Sequence, residues 1–474
     1  MKIFVVTLVI LTTYTLMAMM ADKNPKHWTS GKQPLKEMKK IRKQIKAPVF
    51  KQQDFNVTDF GAKGDGVTKN SAAFKKAVDA CNAAGGGRVV VPAGNFFTGP
   101  IYIKSNVNLH LQEGATIIFS RDTKDYPLVL MRWEGMDCMN FSPQIYAYNE
   151  KNIGITGSGT IDGNADNYNW WPWKGNKEDG WKDGMPNQFK DRDDLHQMMY
   201  KRIDPRKRIF GQGHYLRPYM LQPYKCENIL ISGVKMVNSP MWFISPVMCE
   251  NVTIEKVKVI SHGPNTDGCD PDACKNVLIK DCYFDTGDDC IAIKSGRDED
   301  GRDHKRPAEN HIIENCEMKD GHGGIVIGSE IAGGARNIYA INCKMNSPNL
   351  DRVLRVKTSS SRGGIIENIF LKNIEVGAYK ESAIRFNMFY EKPGNFIPTI
   401  RNIWIENLTV SHGGEYAIWV NAYKESPVHH LRLVNCTING VEAPLQINHV
   451  KDMTFKNVII NGKSFNANDT LLNN

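Results

Sequence analysis

Four short stretches of the chain place groups that can move protons beside groups that can hold an anion: Asn265-Thr266-Asp267, Gly287-Asp288-Asp289-Cys290, Gly321-His322-Gly323 and Arg355-Val356-Lys357. Paired carboxyl groups can hydrolyse a glycosidic bond, one protonating the leaving oxygen and one activating water. Clustered carboxylates also push one another's pKa upward, which keeps one of them protonated as the acid. His322 has no activated Ser or Cys as an obvious partner, so a hydrogen bond that tunes the acid, or a contact to the sugar, fits it best. Arg355 and Lys357 alternate around Val356 and point to one side of a strand. There they suit a substrate carboxylate. Ion pairing with the aspartates is the competing use, and the two can coexist.

The stretches meet only if the chain folds as a repeat. A unit of Asn-apolar-x-apolar, a second short strand and a Gly/Asn/Asp-rich turn begins at Asn152, Asn228, Asn251, Asn276, Asn310, Asn337, Asn368 and Asn402. It degenerates at His430 and Asp452, and several units are spaced by 22 to 34 residues, inside the range of solenoids. No long helix separates the strands, and parallel strands need covered faces or stacked coils. The reading is all-β: a right-handed, single-stranded parallel β-helix. Leucine-rich repeats lack support because the leucine spacing and per-repeat helix are missing, and a propeller would need hairpin turns. The repeat asparagines read as an internal ladder of amides. Ser71 to Ala84 reads as a serine-capped helix that closes the first end.

Counted from the repeat asparagines, Asp267 falls 16 residues after Asn251, Asp288 and Asp289 fall 12 and 13 after Asn276, and His322 falls 12 after Asn310. Arg355 and Lys357 fall 18 and 20 after Asn337. With coils about 4.8 Å apart, these groups should form one patch.

Four such motifs in this order resemble the signatures of the polygalacturonase family of glycoside hydrolases. The resemblance extends to the opening VTDFGAKGDGVTKN segment and the GGGRVVVPAG strand, and so covers roughly residues 55 to 460. It implies hydrolysis of α-1,4-galacturonosidic linkages in pectin with inversion, Asp288 as general acid, and Asp267 and Asp289 holding the attacking water. It implies substrate contacts from Arg355, Lys357 and Asn265. MKDGHGGIVIGSE and SPNLDRVLRVKTSSSRGG look like the exo-acting bacterial branch; an endo enzyme and a hydrolase of decorated, rhamnogalacturonan-type pectin are the alternatives. A calcium-dependent pectate lyase should present an acidic calcium cluster with a lone basic residue, and the GDD turn with His322 favours hydrolysis instead. A non-catalytic carbohydrate-binding β-helix has no reason to stack Asp267, Asp288, Asp289 and His322.

The bulk properties agree. A net charge of +9 suits a polyanionic partner such as an acidic polysaccharide. Lys2 followed by the apolar run Ile3 to Met20 reads as a signal peptide over residues 1–21, hence a secreted or periplasmic protein without stable membrane insertion. That signal, and the lack of a recognised binding module, disfavour nucleic acid. Residues 22–54 form a basic leader, with Lys32 to Lys46 an exposed segment or short helix; the catalytic β-helix spans 55–474. The 11 cysteines show no zinc spacing and fall in strand-like motifs, so they read as core residues. No metal or cofactor is expected. An aromatic and charged insertion at 164–223 should line or cap the cleft, and the charged run Arg297 to Arg306 reads as a solvated loop near its rim.

Overall fold

The repeat asparagines shape the backbone as well as marking it. In the computed structural model, which describes residues 27–467, those from Asn152 to Asn402 all lie in the left-handed region, with φ between +54° and +61°. Asn tolerates this conformation because its short polar side chain bonds locally. Each side-chain amide donates to the carbonyl oxygen of the asparagine one coil earlier: Asn276 to Asn251 at 3.3 Å, Asn310 to Asn276 at 2.9 Å, Asn337 to Asn310 at 2.9 Å. The ladder runs from Asn106 to Asn402, where the Trp28 backbone N–H takes the last free oxygen. A second ladder, Asp281 to Asn407 through Asn315, Asn342 and Asn373, marks the next turn of each coil.

Between the turns the strands pair in parallel. Ile229, Val252, Val277, His311, Ile338, Ile369, Ile403 and Leu431 form one inward line. The first two strands of each coil merge into a 23-stranded sheet, and third strands from Ile291–Ile293 to Ala443–Asn448 form a six-stranded one. This is a right-handed parallel β-helix. Its interior is one continuous apolar core, and all 11 cysteines are buried and free.

Helix α1 (Lys32–Gln44) lies along the outside of the solenoid. Its apolar stripe, Met38 and Ile41 with Ile45 and Trp28, packs on Leu278, Ile312, Tyr339, Phe370 and Trp404 from five coils. The basic segment is therefore a docked helix with only its lysine face in solvent. Helix α2 (Ser71–Ala83) buries Phe74, Ala77, Val78 and Cys81 at the first coils, as expected of an end cap. Ser71 is not its capping residue, however. Asn70 takes the N-cap position, and the Ser71 hydroxyl accepts the Gly99 N–H instead.

An antiparallel hairpin, Leu128–Trp133 with Met136–Phe141, projects from the solenoid and has no counterpart in the repeat pattern. It packs with helix α3 (Phe189–Tyr200) of the insertion around Trp133, Leu195, Met199 and Trp242. The expected signal peptide, residues 1–21, lies outside the described residues. Among those described, no helix is long and apolar enough to cross a membrane.

Candidate active site

The third-strand register brings the motifs together. Cys269, Ile291, Ile325 and Leu354 align on successive coils. Asp267, Asp289 and Gly323, each two positions earlier, therefore stack where the chain turns into that strand. His322 lies over Asp288, donating its backbone N–H to the Asp288 carbonyl at 3.2 Å and placing ring Nδ1 3.0 Å from Oδ1. Arg355 and Lys357 come two coils after Asp289 yet reach back to it, with Lys357 Nζ 2.6 Å from Oδ2 and Arg355 Nη1 3.4 Å from Oδ1. The intervening Gly323 makes this possible. A Cβ there would sit 3.3 Å from Asp289 Oδ1 and 2.4 Å from a Val326 methyl, closing the gap.

Asn265 completes the cluster. It donates to Asp288 Oδ2 at 3.3 Å and accepts from Lys174 Nζ at 2.8 Å and Arg217 Nη2 at 2.7 Å. All seven residues singled out in the sequence are thus linked by hydrogen bonds or stacking. Arg355 and Lys357 make the ion pairs with Asp289 and also face the cleft, beneath Tyr390 at 5.2 and 5.4 Å from its ring centre.

Oxygens of Asp267, Asp288 and Asp289 lie within 4.8 Å of one another, close enough to share a cation. Positive charge already comes from the protein there, through Lys357 and Arg355 on Asp289 and His322 on Asp288. Burial and then the charge of Asp270 and Asp288 push the Asp267 carboxyl well up, and burial does the same to Asp270. For Asp288 burial pushes up too, but the hydrogen bond and charge of His322, with Lys357 and Lys294, outweigh it and hold the carboxyl low. The His322 pKa is raised in return, chiefly by its bond to Asp288. The protonation expected of one clustered carboxyl group therefore falls on Asp267 and Asp270, burial first and neighbouring charge second. The pair thus favours Asp288 as its anionic and His322 as its cationic member.

The surrounding cleft, about 450 Å³, includes groups the motifs did not mark, among them Glu134, Lys174, Arg192, Lys294, Arg297 and Glu330. Lys294 is fully buried between Glu330 at 3.0 Å and Asp270 at 3.5 Å, over the Trp242 ring. One signal was readable: Asp270 follows Asp267 by three residues in the same turn. Glu134 comes from the hairpin turn and Lys174 and Arg192 from the insertion, where no repeat register exists, whereas Lys294, Arg297 and Glu330 follow the third strands Ile291–Ile293 and Ile325–Gly328 of the coils. The run Arg297 to Arg306 is not a solvated loop. It forms helix α4 (Asp298–His304), with Asp298 and Asp300 buried against Arg362 and Arg208, the latter at 2.6 and 3.0 Å.

A carboxylate cluster with a hydrogen-bonded histidine and a basic flank, on the outside of a parallel β-helix, is the equipment of a glycoside hydrolase working by acid–base chemistry. The model of Glycosyl hydrolases family 28 matches residues 211–458, and that described as Rhamnogalacturonase A/epimerase, pectate lyase-like, matches 55–111. The chain belongs to glycosyl hydrolase family 28. It is 43% identical to a hyperthermoactive exopolygalacturonase from Thermotoga maritima of known structure, with a TM-score of 0.87 over 90% of this chain and 97% of that one. It is 29% identical over 337 residues to a probable polygalacturonase of Vitis vinifera, covering 69% of this chain and 61% of that protein. It is 26% identical over 358 residues to an exo-poly-alpha-D-galacturonosidase of Dickeya chrysanthemi, covering 71% and 57%. The chain thus spans about three fifths of the length of these curated relatives.

Proposed function

We propose that this protein hydrolyses α-1,4-galacturonosidic linkages of polygalacturonate and pectin, releasing galacturonate from a chain end with inversion. The observation that carries the reading is the stack of Asp267, Asp288, Asp289 and His322 on three consecutive coils, flanked by Arg355 and Lys357. Asp288 protonates the leaving oxygen, while Asp267 and Asp289 hold the attacking water and Asp289, paired with Lys357 and Arg355, takes its proton. Because Asp288 rests as an anion, its proton comes from His322 across their 3.0 Å hydrogen bond. Arg355 and Lys357 hold a substrate carboxylate beside the bond, released in part from Asp289 as the sugar enters.

Inversion rests on the family, not on spacing. An inverting pair is usually about 6.5–9.5 Å apart, whereas the nearest oxygens here lie within 4.8 Å. The chain-end mode is supported by likeness to the Thermotoga maritima exopolygalacturonase and by the insertion, whose Lys174 and Arg192 stand at the cleft. A location outside the cytoplasm is supported by the apolar run Ile3 to Met20.

Digestion of polygalacturonate followed over time tests the reading. Monogalacturonate alone from the first minutes, with slow loss of viscosity and the inverted anomer first in the NMR spectrum, is the expected result. Early mixed oligomers with rapid loss of viscosity would mean an open groove, and the retained anomer would overturn the mechanism.

A further inference from the structure

The basic helix α1 takes no part in the site described above. Along it, Lys32, Lys36, Lys39 and Lys43 follow one another at intervals of four, three and four residues. At about 100° per residue they fall within an arc of about 60°, and at about 1.5 Å per residue the row is about 16 Å long. Lys40 flanks the row, and all five side chains are exposed.

The other charges of the helix are used elsewhere. Glu37 accepts from the Trp28 indole at 3.0 Å, and Arg42 pairs with Glu314 of the solenoid. Among the described residues, no carboxylate stands within ion-pair reach of the five lysines. An open groove of about 490 Å³ runs between their side chains, lined by them and Leu35. Like charges three and four residues apart repel one another on a helix. An anion laid along the row relieves all of those repulsions at once.

The surroundings narrow the kind of anion. The apolar stripe of α1 is buried on the solenoid, so the helix offers a membrane no apolar face to insert. It carries no aromatic ring on which a nucleic-acid base could stack. What remains fits a linear, regularly charged polymer whose sugar rings rest on the lysine stems. The helix lies against Leu278, Ile312 and Tyr339, on the coils that carry Asp288, His322 and Arg355. The row therefore runs beside the catalytic coils, on another flank of the solenoid. We propose that it is a second binding site for acidic polysaccharide, one that holds the polymer to the protein while a chain end is cut in the cleft. A polymer retained there keeps its ends at high local concentration. The identity of that polymer rests on the galacturonan reading above.

The test compares the wild type with the triple variant Lys36→Gln, Lys39→Gln, Lys43→Gln and with the matching triple arginine variant, each checked by thermal unfolding. Polygalacturonate binding is measured in an Asp288→Asn background, and kcat/KM on polygalacturonate and on trigalacturonate without it. At about 0.02 M salt the glutamine variant should bind the polymer about tenfold more weakly and lose a similar factor in kcat/KM on it. Its kcat/KM on trigalacturonate, which the cleft alone holds, should be unchanged. Lys39→Gln by itself should show part of the loss, and the arginine variant none. At about 0.3 M salt the difference should close, because the charges are screened. Equal polymer binding by the glutamine variant and the wild type, or equal losses on trimer and polymer, would overturn the proposal. So would duplex DNA or phosphatidylserine vesicles held by the row more tightly than polygalacturonate. Cleavage of polygalacturonate that is indifferent to the lysines refutes the second site alone. Lysine-dependent binding of a polymer that the wild type never cleaves refutes the functional reading and leaves the second site standing.

Discussion

Replacing His322 with Gln keeps a hydrogen-bond donor over Asp288 and removes the titrating charge. The raised pKa of His322 and the depressed pKa of Asp288 describe one pair. Its signs follow from linkage. The His322 contribution to stability is fully present below the free imidazole value of 6.5 and is lost as pH rises through the raised folded value. The Asp288 contribution is present above the ordinary value of 3.8 and is lost as pH falls toward the depressed one. A charge-assisted hydrogen bond contributes about 1.5–3 kcal/mol. The His322 side chain is 54% exposed, so solvent screening reduces this to about 1 kcal/mol. Profiles of kcat/KM against pH on polygalacturonate should therefore lose the basic limb that His322 sets, with His322→Gln depressed across the acidic side where the wild type is active. The difference in urea unfolding free energy between about pH 5.5 and about pH 9 should shrink by about 1 kcal/mol. Coincident basic limbs in the two proteins would show that His322 does not load Asp288.

Other substitutions probe the remaining parts. Asp288→Asn should lower kcat by about 10²–10⁴-fold while thermal unfolding changes little; near wild-type turnover would remove Asp288 from the acid role. Lys357→Ala leaves fully buried Asp289 with only the 3.4 Å Arg355 contact. It should cost about 3 kcal/mol of stability in urea, whereas a shift below about 1 kcal/mol would mark the pair as solvated. Asn276→Ala removes one donated and one accepted amide bond and places Ala at φ +59°. Two bonds of about 1 kcal/mol each and about 1 kcal/mol of left-handed strain predict a loss near 3 kcal/mol in the same measurement.

The asparagine spacing made the solenoid legible, because a residue needed at a fixed turn recurs whatever the length of the loop after it. The same register brought Asp267, Asp288, Asp289 and His322 to one place before any coordinate was known. Offsets from the asparagine did not locate Arg355 and Lys357 as well, since their counts are larger. Their contact with Asp289 depends on Gly323, whose importance lies in the side chain it lacks. Helix α4 was misread because a charged run looks solvated until its partners are known. Those partners are remote: Arg208 lies 92 residues from Asp300 and Arg362 lies 64 from Asp298. The hairpin and insertion have no periodicity to betray them, and so the cations they contribute to the cleft became visible only in three dimensions.

The junction between Trp28 and Asn402 sets an order of events in folding. Trp28 closes a ladder whose last rung is 374 residues downstream, and the bed of α1 is assembled from five coils between Leu278 and Trp404. Neither surface exists until those coils have stacked. The segment, which precedes those coils in the chain, therefore waits, with its apolar stripe uncovered, for them to form. Contacts of such sequence separation are slow to close, which makes α1 the latch of the fold rather than its seed. Deleting it should leave the coils able to stack, but with Leu278, Ile312, Tyr339, Phe370 and Trp404 laid open as an apolar strip along one flank.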